Sequence, residues 1–423
     1  MRLMPPSSTP LPSPRYLWQQ PGWPTLQVDV VALAQALDSA RIEQGRLLGL
    51  LDAIGLWPAQ EIARDLWVQE ALATAQIEGQ RLDLEAVRSS VARRLGLEDD
   101  GVPAASNRSV EGLVDVMQDA VERCTAPVDA DRLWRWQSAL FPGGTSGIQR
   151  ITVGRWRDHE DPMQIVSGPM GREVVHYEAP PSHQVPAEMA QFIAWFDATQ
   201  PSAVAPGVPA ATGRLNGLVR AALAHLWFET VHPFEDGNGR IGRALADMAL
   251  AQDLAAQQAG SAAGPEQSLR FSAPIFGMAR HMLAKRAAYY DALNAAQKGT
   301  LDVTAWVLWF VQAFAQGCIA SQAVVRQAVD KAAFRARMVG AGVNARQVKV
   351  LERLMTAGSV ELGGGFLGGL TADKYTKLAG TSKPTATRDL ADLVDKGLLL
   401  VSGQGKGTRY AIAVPGWTQP AVE

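Results

Sequence analysis

Apolar residues recur at three-to-four spacing over residues 30–51 and 59–78, which predicts two helices joined by a short turn at Gly55 and Pro58. Gly79 ends the second. The same periodicity predicts helices at 84–95, 110–123 and 133–141, the last stopped by Pro142-Gly143-Gly144. Between 151 and 181 it vanishes. Thr152-Val153, Gln164-Ile165-Val166 and Glu173-Val174-Val175-His176-Tyr177 read as short strands, and a Gly168-Pro169-Met170-Gly171 turn joins the last two into a hairpin. Helices return at 187–197, 214–230, 240–256, 275–297 and 303–334, with Ala-, Pro- and Gly-rich connections at 201–209 and 257–267.

A boundary falls at 340–344. Beyond it a helix at 346–354 and a Gly363-Gly364-Gly365 loop precede two helices, 371–379 and 383–396, that flank Gly380-Thr381-Ser382. Strands at 398–401 and 408–414 surround a glycine turn. Helix, helix-turn-helix and hairpin in that order is the layout of a winged helix, here over 341–415. The fold class is mainly α, with a β-hairpin in a helical core.

Composition narrows the picture modestly. The 423 residues allow two or three domains, and 40 Lys and Arg nearly balance 42 Asp and Glu, so net charge calls for neither nucleic acid nor membrane. Cys124 and Cys318 lie far apart without metal spacing, which suits a reducing compartment. The Pro- and Ser-rich start lacks the apolar run of a secretory signal, and the stretch 305–320 is broken by Gln312, Gln316 and Gly317. A cytoplasmic protein without membrane association is expected.

The chemistry concentrates in His232-Pro-Phe-Glu-Asp-Gly-Asn-Gly-Arg-Ile-Gly-Arg243. A helix N-terminus presents free N–H groups and partial positive charge to an anion. Gly237 and Gly239 let the backbone approach it, Asn238 offers an amide donor, and Arg240 and Arg243 share a helix face that reaches a polyphosphate. Asp236 is a single carboxylate beside that anion, the usual holder of Mg²⁺, and His232 is placed to accept a proton from a nucleophile.

This segment resembles, at every fixed position, the signature of the Fic (Fido) family. The resemblance implies a Fic-fold helical core with a β-hairpin flap and transfer of AMP from ATP to a hydroxyl side chain of a target protein, releasing pyrophosphate. His232 would be the base and Asp236 the Mg²⁺ holder. Gly237, Asn238 and Gly239 would form the anion hole, with Arg240 and Arg243 on the phosphates. Thr74-Ala-Gln-Ile-Glu78-Gly79 resembles the family's inhibitory motif, in which Glu78 pairs with Arg243 and excludes the γ-phosphate. The implied organisation is an N-terminal regulatory domain at 1–98 carrying that helix, a catalytic region at 108–335 with its core at about 128–267, and the winged helix.

The 163–177 hairpin resembles the family's flap, which holds a target segment by strand addition, with Ile165, Val166, Ser167 and Gly168 at nucleotide-contacting positions. Tyr289, Tyr290 and Gln297 resemble the adenine-side helix. The opening 18–24 and the helices after it look like an N-terminal domain found in many bacterial Fic proteins. A homodimer is compatible with the resemblance. Seven basic residues against four Asp over 371–410 leave DNA and protein both open as partners of the winged helix. Two rival functions remain: AMP removal with Glu78 positioning water, and a DNA-bound regulator whose core senses nucleotide.

Overall fold

Asn216 sets the start of the most buried helix. Its side-chain oxygen accepts the Leu218 amide proton at 2.9 Å, satisfying one of the free donors of the first turn. The helix that follows, Gly217–Val231, is buried at every position, so its apolar residues serve several neighbours rather than one face.

The computed structural model describes residues 14–54, 56–97, 107–167, 172, 174–201, 215–258, 274–356, 369–414 and 417. The chain divides into two compact units, Met1–Leu48 with Leu56–Ile319, and Gly49–Gly55 with Ala320–Glu423. The described elements of the first are α1 (Val30–Ala53, continuing into the second), α2 (Leu56–Ile77), α3 (Leu84–Arg94), α4 (Arg108–Glu122), α5 (Ala130–Leu140), β1 (Thr145–Ser146), β2 (Gln149–Arg150), β3 (Gln164–Ser167), β4 (Val174–Glu178), α6 (Val185–Ala198), α7 (Gly217–Val231), α8 (Asn238–Gln258), α9 (Met278–Ala284), α10 (Arg286–Gln297) and the front of α11 (Thr304–Gly340). The protein is mainly helical.

α7 and α8 pack along each other, with α4 on α8 and α2 against both α8 and α9. Gly112 in α4 permits the close passage of α5, since a Cβ there would stand 1.8 Å from the Ala139 carbonyl oxygen. Buried Arg220 ties three elements: it donates to Gln252 Oε1 (2.7 Å), the Phe196 carbonyl (2.6 Å) and Thr199 Oγ1 (3.0 Å). β3 and β4 pair antiparallel, Gln164 opposite Glu178 and Ser167 opposite Val174, with an irregularity between Ile165 and Val166. Tyr16 packs edge-on against Tyr177, and Trp18 donates to the Glu178 carbonyl at 2.9 Å, so the segment before α1 backs this hairpin.

Two expectations are corrected. Residues 275–297 form two helices, not one, because Lys285 at φ −117°, ψ 35° leaves the helical region. Thr152-Val153 is not a strand. Its backbone is satisfied by side chains instead: Glu235 Oε2 accepts from the Thr152 amide (3.0 Å), and Gln137 Nε2 donates to the Thr152 carbonyl (3.2 Å). A two-residue ladder, β1 with β2, stands nearby where no strand was expected. The Gly168–Gly171 turn, the connection 202–209 and the glycines 363–365 lie outside the described residues.

α11 is one 37-residue helix, long and apolar enough by length and composition to cross a membrane, with 56% of its apolar window buried inside the protein. The second unit continues from it with α12 (Ala345–Thr356), α13 (Ala372–Ala379), α14 (Lys383–Asp395), β5 (Leu399–Ser402) and β6 (Arg409–Ile412). Its core gathers Leu351, Tyr375, Leu390, Leu393 and Ile412. β5 pairs antiparallel with β6, and Leu370 bridges the other side of β6 at Tyr410.

Candidate active site

α7 cannot continue past His232, because the residue before a proline is driven out of the helical region. His232 instead takes φ 50°, ψ 60°, the left-handed conformation, and is the one non-glycine with positive φ among the described residues. Such backbone persists where its surroundings hold it. Here they do. Buried Arg157 donates through Nε to the His232 carbonyl (2.8 Å) and through its other nitrogens to the Val231 (3.2 Å) and Pro180 (2.6 Å) carbonyls and Ser182 Oγ (2.9 Å). The Arg157 amide also donates to the Pro233 carbonyl at 2.9 Å.

From this turn the chain runs into the N-terminus of α8. Gly237 has φ 92°, and a Cβ there would press on the Phe141 ring at 2.9 Å. The Asn238 side chain accepts from the Phe234 amide (2.9 Å) and donates one N–H to the Phe234 carbonyl (2.8 Å), so it clamps the loop as well as having a second Nδ2–H and its backbone N–H. Asp236 accepts from the Gly237 amide (2.5 Å) and the Ser146 hydroxyl, which fix its carboxylate at a side-chain exposure of 38%. One oriented, partly exposed carboxylate suits Mg²⁺, whose remaining ligands are water and phosphate.

The inhibitory-motif residues meet the arginines. Thr74 is buried on α2; its hydroxyl accepts from Arg243 Nε (2.7 Å) and its carbonyl from Arg243 Nη2 (3.0 Å). Glu78 follows the end of α2 and accepts from Arg243 Nη2 at 2.8 Å. Glu78 Oε1 lies 2.1 Å from where a Cβ on Gly239 would stand, so the carboxylate rests on the anion-binding turn itself. Arg240 lies over the Phe141 ring (4.7 Å) and donates to Gln80 Oε1 at 3.1 Å. Both guanidinium groups keep a buried nitrogen without a partner, Arg240 Nε and Arg243 Nη1.

Charge states follow from burial and neighbours. Burial, then the Arg157 cation, lowers His232 to about 4, so the imidazole is neutral at pH 7. Burial opposes ionisation of Glu78, yet Arg243, Arg240 and His232 hold its carboxyl below the ordinary value. Arg243 is pulled the other way: burial opposes its charge, but the Glu78 carboxylate raises it above an ordinary arginine. Burial lowers Arg240. Glu229, one helical turn before His232, is raised by burial and by Glu78 to about 8, and its Oε2 is 3.7 Å from His232 Nδ1.

A pocket of about 510 Å³ opens beside these groups, between β3–β4 and α10, a size that suits a small-molecule ligand. Glu78, His232, Gly239, Ile165, Val166 and Tyr290 line it. Tyr289 and Gln297 line it too but are largely committed elsewhere: the Tyr289 hydroxyl bonds His225 Nε2 (2.8 Å), and Gln297 Nε2 donates to the Glu229 carbonyl (3.0 Å). Ser167 ends β3, and Gly168 lies outside the described residues. Sequence reasoning missed Ser146, Arg157 and Glu229. Only Glu229 carried a signal, a lone acid in the otherwise apolar run before the motif.

Residues 127–250 match the model of the Fic/DOC family, and residues 16–97 match that of a domain of unknown function, DUF4172. Among solved structures, a Fic family protein from Desulfovibrio desulfuricans G20 is 20% identical, with TM-score 0.44, over 91% of this chain and 97% of its own. A Fic domain containing signaling protein from Bacteroides thetaiotaomicron VPI-5482 is 15% identical, with TM-score 0.43, over 67% and 97%. A fragment of Fic-1 from C. elegans is 19% identical, with TM-score 0.43, over 69% and 74%.

Proposed function

We propose, on the premise that residues 127–250 are a Fic/DOC family domain, that this chain is an autoinhibited protein adenylyltransferase. It moves AMP from ATP to a Ser, Thr or Tyr hydroxyl of a target protein or of itself. The observation that carries this reading is the clasp of Thr74 and Glu78 on Arg243, directly over Gly239. A carboxylate on the anion turn both repels phosphate and occupies its arginine. Unspent donors on Arg240 and Arg243 support a polyphosphate as the competing occupant.

When Glu78 withdraws, the γ-phosphate takes its place on Arg243. Arg240 and the α8 N-terminus hold the remaining phosphates, and Asp236 would hold Mg²⁺, which neutralises their charge. Neutral His232 accepts the proton of the target hydroxyl as its oxygen bonds the α-phosphorus. The bond from that phosphorus to the bridging oxygen breaks, and pyrophosphate leaves. β3–β4 exposes Val166 and Val174 beside the pocket, which supports docking of a target segment at the hairpin.

The test is incubation of wild type, Glu78→Gly and Glu78→Gly/His232→Ala with labelled ATP and Mg²⁺. Label should enter protein in the first variant and vanish in the second; absence of label throughout sinks the proposal. One observation favours a second reading, AMP removal: Glu78 is ionised and lines the pocket with His232, where a carboxylate can orient water. Loss of AMP from a modified target that requires Glu78 would select it.

Within the second unit we read residues 341–415 as a winged helix with α14 as its recognition helix. Of the three acids of α14, Asp389 is buried against the Tyr375 hydroxyl (3.0 Å), Asp392 is half-exposed and accepts from Gln347 and Lys396, each at 2.7 Å, and Asp395 is exposed. Lys383, Thr387 and Arg388 face outward, which supports DNA as its partner.

A further inference from the structure

Glu229 has no part in the steps above, yet it stands against the base. It lies one helical turn before His232, lines the pocket, and places Oε2 3.7 Å from His232 Nδ1. Its exposure is 4%. Glu229 Oε1 and His232 Nδ1 are both buried without a hydrogen-bond partner among the described residues. α8 makes room for this carboxyl with Gly242, between the two arginines, where a Cβ would stand 2.6 Å from Oε1.

The main-chain oxygen of Glu229 faces the ring as well and favours its protonated form. That oxygen is already engaged. Pro233 has no N–H to complete the helix, and Gln297 Nε2 donates to the Glu229 carbonyl in its place at 3.0 Å. The carboxyl is the acceptor left uncommitted. An acid buried with an oxygen unpaired does less for stability than an apolar side chain that fills the same space. Its presence beside the imidazole calls for a different use. Burial and the Glu78 carboxylate keep it protonated at pH 7, and a neutral carboxyl still presents an oxygen that accepts.

We infer that Glu229 is the positioning residue of the base, its Oε2 accepting the His232 Nδ1–H so that the Nε2 lone pair faces the target hydroxyl. This rests on the transferase reading above and deepens it. A neutral imidazole carries one N–H, and the partner of one nitrogen decides which of the two is left as base. The present separation exceeds a hydrogen bond, and such pairs tighten when substrate fills the site. The proton of the target hydroxyl then goes to Nε2, while the Nδ1 proton stays on the ring. Without the acceptor the single proton divides between the two nitrogens, and the Nε2–H form cannot serve as base.

The experiment uses full-length Glu78→Gly, alone and with Glu229→Leu, Glu229→Ala or Glu229→Gln. Leu and Ala remove the acceptor with the site filled or emptied, and Gln keeps an oxygen there. Ring nitrogen chemical shifts of His232 report the tautomer without nucleotide, and urea unfolding shows which variants are folded. Transfer of label from ATP gives kcat and KM. Glu78→Gly and its Glu229→Gln form should hold the Nδ1–H tautomer. Leu and Ala should shift His232 toward Nε2–H and lower kcat about tenfold to hundredfold, with KM for ATP within about twofold. Glu229→Gln should recover most of kcat. An unchanged tautomer in the folded Leu or Ala variant overturns the inference even if the rate falls, because the main-chain oxygen then suffices. If Glu78→Gly itself transfers no label, the transferase reading falls, while the tautomers still decide whether Glu229 positions the ring.

Discussion

Glu78 Oε1 and Arg243 Nη2 lie 2.8 Å apart although 165 residues separate them. Arg243 is almost wholly buried, and its Nε and Nη2 are both engaged by the end of α2. A buried guanidinium with one assigned anion resists being left alone, so a second anion succeeds only by replacing the first. Removing the carboxylate therefore favours the competitor. Glu78→Gly is expected to tighten ATP binding by about tenfold or more, the equivalent of one charge-assisted hydrogen bond returned to the ligand. Calorimetric titration of both proteins checks this, and equal affinities would show that Glu78 does not compete.

Arg157 holds the left-handed turn at His232. Removing it leaves the His232, Val231 and Pro180 carbonyls without their donor in the interior. Arg157→Met, close in length but without donors, is expected to cost about 3 kcal/mol in urea unfolding. Activity should fall more than folded fraction does, because the strained His232 backbone relaxes once its brace is gone. A variant of wild-type stability would mean that other contacts fix the turn.

The two motifs and most helices were legible in the sequence because periodicity and the glycine–arginine spacing are local properties. What escaped depends on distance. Nothing in the stretch around Arg157 marks it as the brace of a turn 75 residues later. Asn238 reads as a free amide until Phe234 folds back onto it. Residues 152–153 look like a strand, and only the reach of Gln137 and Glu235 to their backbone removes the need for a neighbouring strand.

Glu229 supplies a pH signature. Its folded value of about 8 lies above the ordinary 4.5, so the folded protein binds the extra proton and the associated stability is lost as pH rises through 8. His225 and His232, both lowered to about 4, act oppositely, adding stability as pH rises from about 4 to 6.5 and nothing further above it. Between pH 6.5 and 8 the two histidines therefore add nothing, and the other buried carboxyls raised by burial, Glu70 and Asp247, are common to wild type and a Glu229 variant. Wild type should lose about 2 kcal/mol more across this interval than Glu229→Gln does. Urea unfolding of both at the two pH values decides, and parallel losses would exclude Glu229 as the source.

The outward face of α14 carries a separate expectation. Lys383, Thr387 and Arg388 are exposed, while Asp389 and Asp392 bond to other residues of the unit. Phosphate contacts make DNA affinity fall with salt, by a slope of about 0.9 per phosphate neutralised. Full-length protein should therefore bind duplex DNA with a salt-dependent affinity, measured by fluorescence anisotropy. Lys383→Glu and Arg388→Glu should each reduce the slope by about one, with affinity weakened across all sequences by Lys383→Glu if it contacts phosphate. Leu400 and Val401 on β5, 51% and 52% exposed, give the contrary outcome a physical basis. If duplex DNA is not bound at low salt and the chain sediments as a dimer that Val401→Lys dissociates, the unit is a pairing module whose exposed strand meets another copy.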